Sequence, residues 1–119
     1  MIDITLTGFV ASDVESAPAG PAQEATASFK MGTSGRAFDQ ATGAPVNESP
    51  QWFTVKLRGP LAANAAASLR RGQRILAFGR FGHRQWESQG QIKSELTLEA
   101  ASVGHDLMWG TSSATDTAT

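Results

Sequence analysis

Cysteine is absent from the 119 residues, and histidine occurs only as His83 and His105. The first absence excludes a disulfide scaffold and any thiolate zinc site, and it fits a reducing compartment. Two histidines so far apart give no metal-ligand spacing, so neither a metal nor another cofactor is expected. His105-Asp106 are neighbours in sequence, and such neighbours seldom act as base and orienter. A Walker loop is missing. Gly32-Thr-Ser-Gly35 and Gly79-Arg-Phe-Gly82 have the glycine spacing of a KH clamp, yet neither precedes a helix. An enzyme is therefore not expected. No apolar run nears the ~18 residues that a membrane helix needs. Met1 to Val10 lacks the basic start of a signal peptide, so no membrane partner is expected. Charge is also scarce, at 18% of residues, below the usual share of a globular domain.

The charge that exists is unevenly spread. Residues 30–93 hold all ten Lys and Arg and only Asp39, Glu48 and Glu87 as acids, a net +7. The flanks hold the other eight acids and no base. A basic middle is the usual footprint of a polyanion partner, although an Arg-rich solvated surface would look the same by charge alone. Apolar residues, at 40%, suffice for one modest core. A core that small invites oligomerisation.

Alternation marks the strands. Ile2-Asp-Ile4-Thr-Leu6-Thr7 has period two and ends near Gly8. Ala11 to Ala25, rich in Ala, Pro and acids, reads as a mobile connection. In the next strand Ala27, Phe29 and Met31 share one face and Ser28 and Lys30 the other, before Gly32-Thr-Ser-Gly35 breaks it. Turn chemistry in Asp39-Gln-Ala-Thr-Gly43 makes 36–50 a long hairpin arm or loop. In Trp52-Phe-Thr-Val-Lys-Leu-Arg58, Phe53, Val55 and Leu57 form a core face, opposite Trp52, Thr54, Lys56 and Arg58. Pro60 to Gly72 is the one good helix. Leu61, Ala65 and Leu69 recur along it, Gly72 stops it, and Arg70 and Arg71 suit its C-terminal dipole. Arg74 to Phe81 and its extension to Ser88 form a strand, Gln89-Gly90 a turn, and Ile92 to Ala101 the return, with Ile92, Leu96 and Leu98 inward. The Ser/Thr/Ala tail at 111–119 reads as disordered.

Three strands, one helix and two strands fit an all-β, five-stranded OB-fold barrel with the helix between strands 3 and 4. The expected domain covers 1–102, followed by an extra C-terminal strand or clamp at 103–110 and the tail. Trp52, Lys56 and Arg58 would fall on the barrel's exposed binding face.

Binding a single nucleic-acid strand takes cations for phosphates and flat side chains for bases. The chain interleaves both, in Arg36 and Phe38, in Trp52 with Lys56 and Arg58, in Arg80, Arg84 and Trp86, and in Lys93. A core position is the competing reading of Trp52, disfavoured because Phe53, Val55 and Leu57 already define the buried face. Trp86 has only polar neighbours in His83-Arg-Gln-Trp-Glu87, which also disfavours the core. Phe38 could equally pin its own loop, and Trp109 reads as a packing anchor rather than a stacking platform.

Trp52-Phe53, Leu61-Ala-Ala-Asn64-Ala, Leu69-Arg-Arg-Gly72-Gln-Arg-Ile, Gly79-Arg80-Phe and Arg84-Gln-Trp86-Glu87 resemble bacterial single-stranded DNA-binding proteins, over roughly residues 2–110. Val103-Gly-His-Asp-Leu-Met-Trp-Gly110 is similar to the extra C-terminal strand of actinobacterial members, so the chain looks like a divergent actinobacterial-type paralogue. The resemblance implies that Trp52 and Trp86 stack bases, with Phe38 a third platform, and that Arg71 occupies a basic family position. It also implies a homotetramer, as a possible dimer of dimers, on single-stranded DNA in replication, recombination and repair, in the cytoplasm at the nucleoid. Where the family has an aromatic followed by Gly-Lys-Leu, this chain has Arg58-Gly-Pro60-Leu, and a guanidinium also stacks on bases. The early Asp-Pro-Glu-x-Arg region is here Asp13-Val-Glu-Ser-Ala17, without its Arg. The family's acidic, Phe-ended tip is absent from a chain ending Thr115-Asp-Thr-Ala-Thr119, so recruitment of other replication or repair proteins is not carried over. The alternative is an accessory OB-fold oligomerisation protein with weakened DNA affinity. Val103 to Gly110 is expected to contact a neighbouring copy, unless it folds back on its own barrel.

Overall fold

A computed structural model describes residues 2–33, 36–38, 41, 42, 45–47 and 50–117. Its strands are β1 (Asp3–Val10), β2 (Glu15–Ala17), β3 (Thr26–Thr33), β4 (Arg36–Phe38), β5 (Pro45–Asn47), β6 (Trp52–Arg58), β7 (Arg74–Ser88) and β8 (Gln91–His105), with one helix, α1 (Pro60–Ser68), between β6 and β7. The main sheet runs β1-β7-β8-β6-β3-β2, and β1 also pairs with β3. That last pairing closes β1, β7, β8, β6 and β3 into a ring, the expected five-stranded barrel with its helix where the element order put it. Among the described residues only the β6–β8 pairing is parallel, with Val55 opposite Leu98.

Alternation along each strand fills the barrel. β6 buries Phe53, Val55 and Leu57, and β3 buries Ala27, Phe29 and Met31. Val10, Ile75 and Leu98 join them, and α1 covers one end through Ala62 and Ala65. Burying these groups, at about 25 cal/mol per Å² of apolar surface, is what holds the ring closed. Closure also demands close approach at one corner. A Cβ on Gly8 would collide with the Gly32 carbonyl of β3, so no larger residue fits that crossing.

Several expectations are revised. Ala11 to Ala25 contains β2, which pairs Glu15 to Ala17 with Ser28, Ala27 and Thr26. All three β2 side chains are exposed, so the strand is held by its backbone pairing and no apolar pattern announces it. The helix ends at Ser68, because Leu69 is extended (φ −92°, ψ 139°). Arg70 Nη1 still donates to the Leu69 carbonyl at 2.9 Å, whereas Gly72 (φ 92°) belongs to the turn entering β7 and donates to Val10 O. Leu61 is only partly buried, and Ala62 takes its place in the core. Ile92 is 79% exposed instead of inward. From Arg84 to Glu95 the β7–β8 hairpin extends past its pairing with β6, no residue is fully buried, and an inward phase has nothing to pack on. The strand expected at 103–110 is present only as the end of β8, where Val103 pairs with Ala77 and His105 with Ile75. Asp106 to Gly110 then turns away, and residues 111–117 form neither helix nor strand. The expected arm at 36–50 contains the β4–β5 hairpin.

Candidate nucleic-acid interface

The phase that buries Phe53 turns its neighbour outward, leaving Trp52 55% exposed on the barrel wall. Register places Thr54 beside Lys30 and Trp52 beside Gly32 of β3. Lys30 Nζ donates to Thr54 Oγ1 at 2.6 Å, which fixes an ammonium next to the indole. Gly32 has a particular reason to lack a side chain. A Cβ there would sit 2.5 Å from Phe9 Cζ and 2.9 Å from Trp52 Cζ3. Without it, Phe9 and Trp52 meet edge to face, with centroids 6.0 Å apart, a geometry that aromatic rings favour.

Trp86 arrives from a different element. β7 and β8 pair without interruption from Gly79–Ala100 to Ser88–Gln91, and the hairpin closes through Gln89 and Gly90, both at positive φ (53° and 76°). Trp86 lies opposite Lys93 and Arg84 opposite Glu95. The Arg84 guanidinium carbon stands 4.6 Å from the Trp86 ring centroid, a cation–π contact. Between this arm and the barrel wall runs an open groove of about 580 Å³, lined by Trp52, Trp86, Lys30, Lys93, Thr54 and Glu95 among others. Its walls thus offer two indoles and two ammonium groups against one carboxylate.

The remaining expected residues lie elsewhere. Lys56, Arg58 and Arg80 line a second open groove of about 1140 Å³ with Asp3, Glu15, Glu24 and Glu99. Arg58 Nε is 4.0 Å from Glu24 Oε1, with both side chains well exposed. Such a pair is worth little energetically but offsets the local charge. Arg71 Nε is 3.5 Å from Asp13 Oδ1, again at the surface. Arg36 and Phe38 form β4, paired with β5, and their side chains lie outside the described residues. Lys30 and Phe9 beside Trp52, and Arg74 on the far side of Phe9, were not among the expected site residues. Parity was the available signal for Lys30 and Phe9, which fall on the outward phase of their strands. Arg74 pairs with Phe9 across β1 and β7, a register that no local pattern encodes.

Residues 1–106 match the family described as the single-strand binding protein family. Single-stranded DNA-binding protein 2 of Tropheryma whipplei is 37% identical over 112 residues, covering 94% of this chain and 73% of its own. Single-stranded DNA-binding protein 1 of Streptomyces coelicolor is 31% identical, over 70% of this chain and 53% of its own length. Among solved structures, a small single-stranded DNA-binding protein from Streptomyces coelicolor superposes with a TM-score of 0.79 at 28% identity, covering 92% of this chain and 97% of that one. Sequence and barrel agree, over nearly the whole length, that the chain belongs to the single-strand binding protein family.

Proposed function

We propose that this chain binds and protects single-stranded DNA without sequence preference during replication, recombination and repair, holding the strand in the groove between Trp52 and Trp86. The observation that carries the reading is that two tryptophans from separate elements face one open groove with Lys30 and Lys93 on its walls. A base has a flat face whatever its identity, so stacking on an indole ignores sequence. Phosphates follow the ammonium groups, releasing counterions as they bind. Arg84 stacks on the Trp86 ring, and its charge serves the backbone of the strand. Lys56, Arg58, Arg80 and Arg71 are second-rank contacts in this proposal, because carboxylates share their surroundings. Arg36 and Phe38 join through the β4–β5 hairpin. The function is binding without catalysis, in the cytoplasm at the nucleoid.

The proposed working form is a homotetramer. Leu76 and Phe78 are 41% and 42% exposed on the outer face of β7. Among the described residues, Asp3 to Thr7 of β1 pair with β7 alone, and β3 meets β1 only at Gly8 to Val10. An open strand edge beside apolar side chains is a surface suited to a second copy.

Titration with oligothymidylate at several salt concentrations tests the reading. Tryptophan fluorescence should fall on binding, and log affinity should drop linearly with log salt by roughly 0.7 per phosphate contact. Absence of binding at low salt would favour the accessory oligomerisation protein instead.

A further inference from the structure

We infer that Trp109 is a further base-stacking residue, ending a row of flat groups that carries the bound strand out of the groove and over the barrel rim; this rests on the reading just given. The row starts at Trp52 and passes to Phe9 by the 6.0 Å edge-to-face contact. The Arg74 guanidinium carbon follows, 5.6 Å from the Phe9 centroid and 4.6 Å from that of Trp109. Aromatic, cation and aromatic thus alternate on one outer surface, continuous with the groove that holds Trp86. That is the composition which recognises a single strand of nucleic acid: rings for bases and guanidinium for phosphate or for stacking.

Trp109 is held in place although it stays 62% exposed. Asp106 N donates to Arg74 O at 2.9 Å, tying the segment to the start of β7. A tight turn then forms as Met108 N donates to Asp106 Oδ1 at 3.0 Å and Trp109 N to Asp106 O at 3.2 Å. Just upstream, His105 bridges Gln73 Oε1 at 3.0 Å and Ser112 Oγ at 2.8 Å. A ring fixed before its ligand arrives loses little conformational freedom on binding. The sequence reading of Trp109 as a packing anchor fits poorly, since it packs on a guanidinium and not on the core.

The test compares parent, Trp109→Ala and Trp109→Phe full-length chains. The probe is a fluorescent oligothymidylate of about 16 nucleotides, the upper site size of one such barrel, read by anisotropy with the mass measured by light scattering. Trp109→Ala should weaken binding by roughly 5- to 100-fold at unchanged mass, and Trp109→Phe should restore most of it. In a Trp52→Phe, Trp86→Phe chain, the remaining Trp109 emission should fall as the oligonucleotide binds. Unchanged affinity in Trp109→Ala, or binding without quenching of the lone Trp109, overturns the inference and leaves the groove reading standing. A loss of affinity that accompanies a loss of mass makes Trp109 an interface residue and overturns it as well. If the parent chain binds no oligonucleotide, the groove reading fails and takes this one with it.

Discussion

At the scale of single residues, adjacent positions in β6 have opposite tasks, and substitution separates them. Trp52 faces the groove, whereas Phe53 is 7% exposed and meets Phe81 edge to face across the core, with centroids 6.3 Å apart. Trp52→Ala should cost about 1–3 kcal/mol in DNA affinity and little in folding. Phe53→Ala should cost roughly 3–5 kcal/mol of stability through the cavity it opens. Urea melts and oligonucleotide titrations on both variants check this, and equal destabilisation would mean that the faces had been inverted. Lys30 and Lys93 allow a second separation. Converting either to Gln removes one phosphate contact, so the slope of log affinity against log salt should shrink by about 0.7. A slope equal to the parent's would remove that lysine from the path. For Lys30 the loss of its bond to Thr54 is a minor structural effect, because that pair is exposed.

At the scale of elements, the proposed function makes the β7–β8 arm a DNA-binding attachment, which the barrel is expected to tolerate losing. Its residues from Arg84 to Glu95 include none that is fully buried. Replacing residues 85–94 by Asn-Gly joins Arg84 to Glu95, which already lie opposite each other, through a turn suited to two-residue hairpins. The shortened chain should melt cooperatively close to the parent, while affinity falls at least ~10-fold with the loss of one stacking ring and one cation. Loss of the cooperative melt would show that the arm is structural. This division also explains what the sequence disclosed. Period-two alternation was plain where one strand face is buried, in β3 and β6, and it delivered Trp52 as an outward residue. It was silent for β2, whose side chains are all exposed, and it misassigned Ile92, whose strand had left the core behind. Leu69 kept the helical spacing although its backbone is extended, so the helix looked longer than it is. The approach of Trp86 to Trp52 depends on the parallel β6–β8 pairing, and that of Arg74 to Phe9 on the β1–β7 register. Both are long-range pairings that a local pattern does not contain.

At the scale of the whole molecule, the question is how a 12.5 kDa barrel covers the apolar surface it leaves outside. Leu76 and Phe78 point away from the core on β7, and their neighbours opposite on β1 are Thr7 and Thr5. Beside them, Asp3 to Thr7 have a strand partner on one side only among the described residues. A second copy laid along that edge would pair its backbone groups and bury both large side chains in one contact, whereas water can only solvate the edge and leaves the rings exposed. Val103 to His105 cannot be the whole contact, since they already pair with β7 of their own barrel. Two changes therefore separate the candidate contacts. Phe78→Glu places a carboxylate in the middle of the proposed interface, and burying an unpaired charge there costs far more than the contact returns. Light scattering should then give a smaller species than the parent at the same concentration. Removing residues 106–119 instead tests Leu107, Met108 and Trp109 while keeping all of β8. If the β7 face carries the assembly, this shorter chain keeps the parent's mass and Phe78→Glu does not. A parent-like mass for Phe78→Glu together with a smaller one for the shortened chain would move the contact to the C-terminal segment.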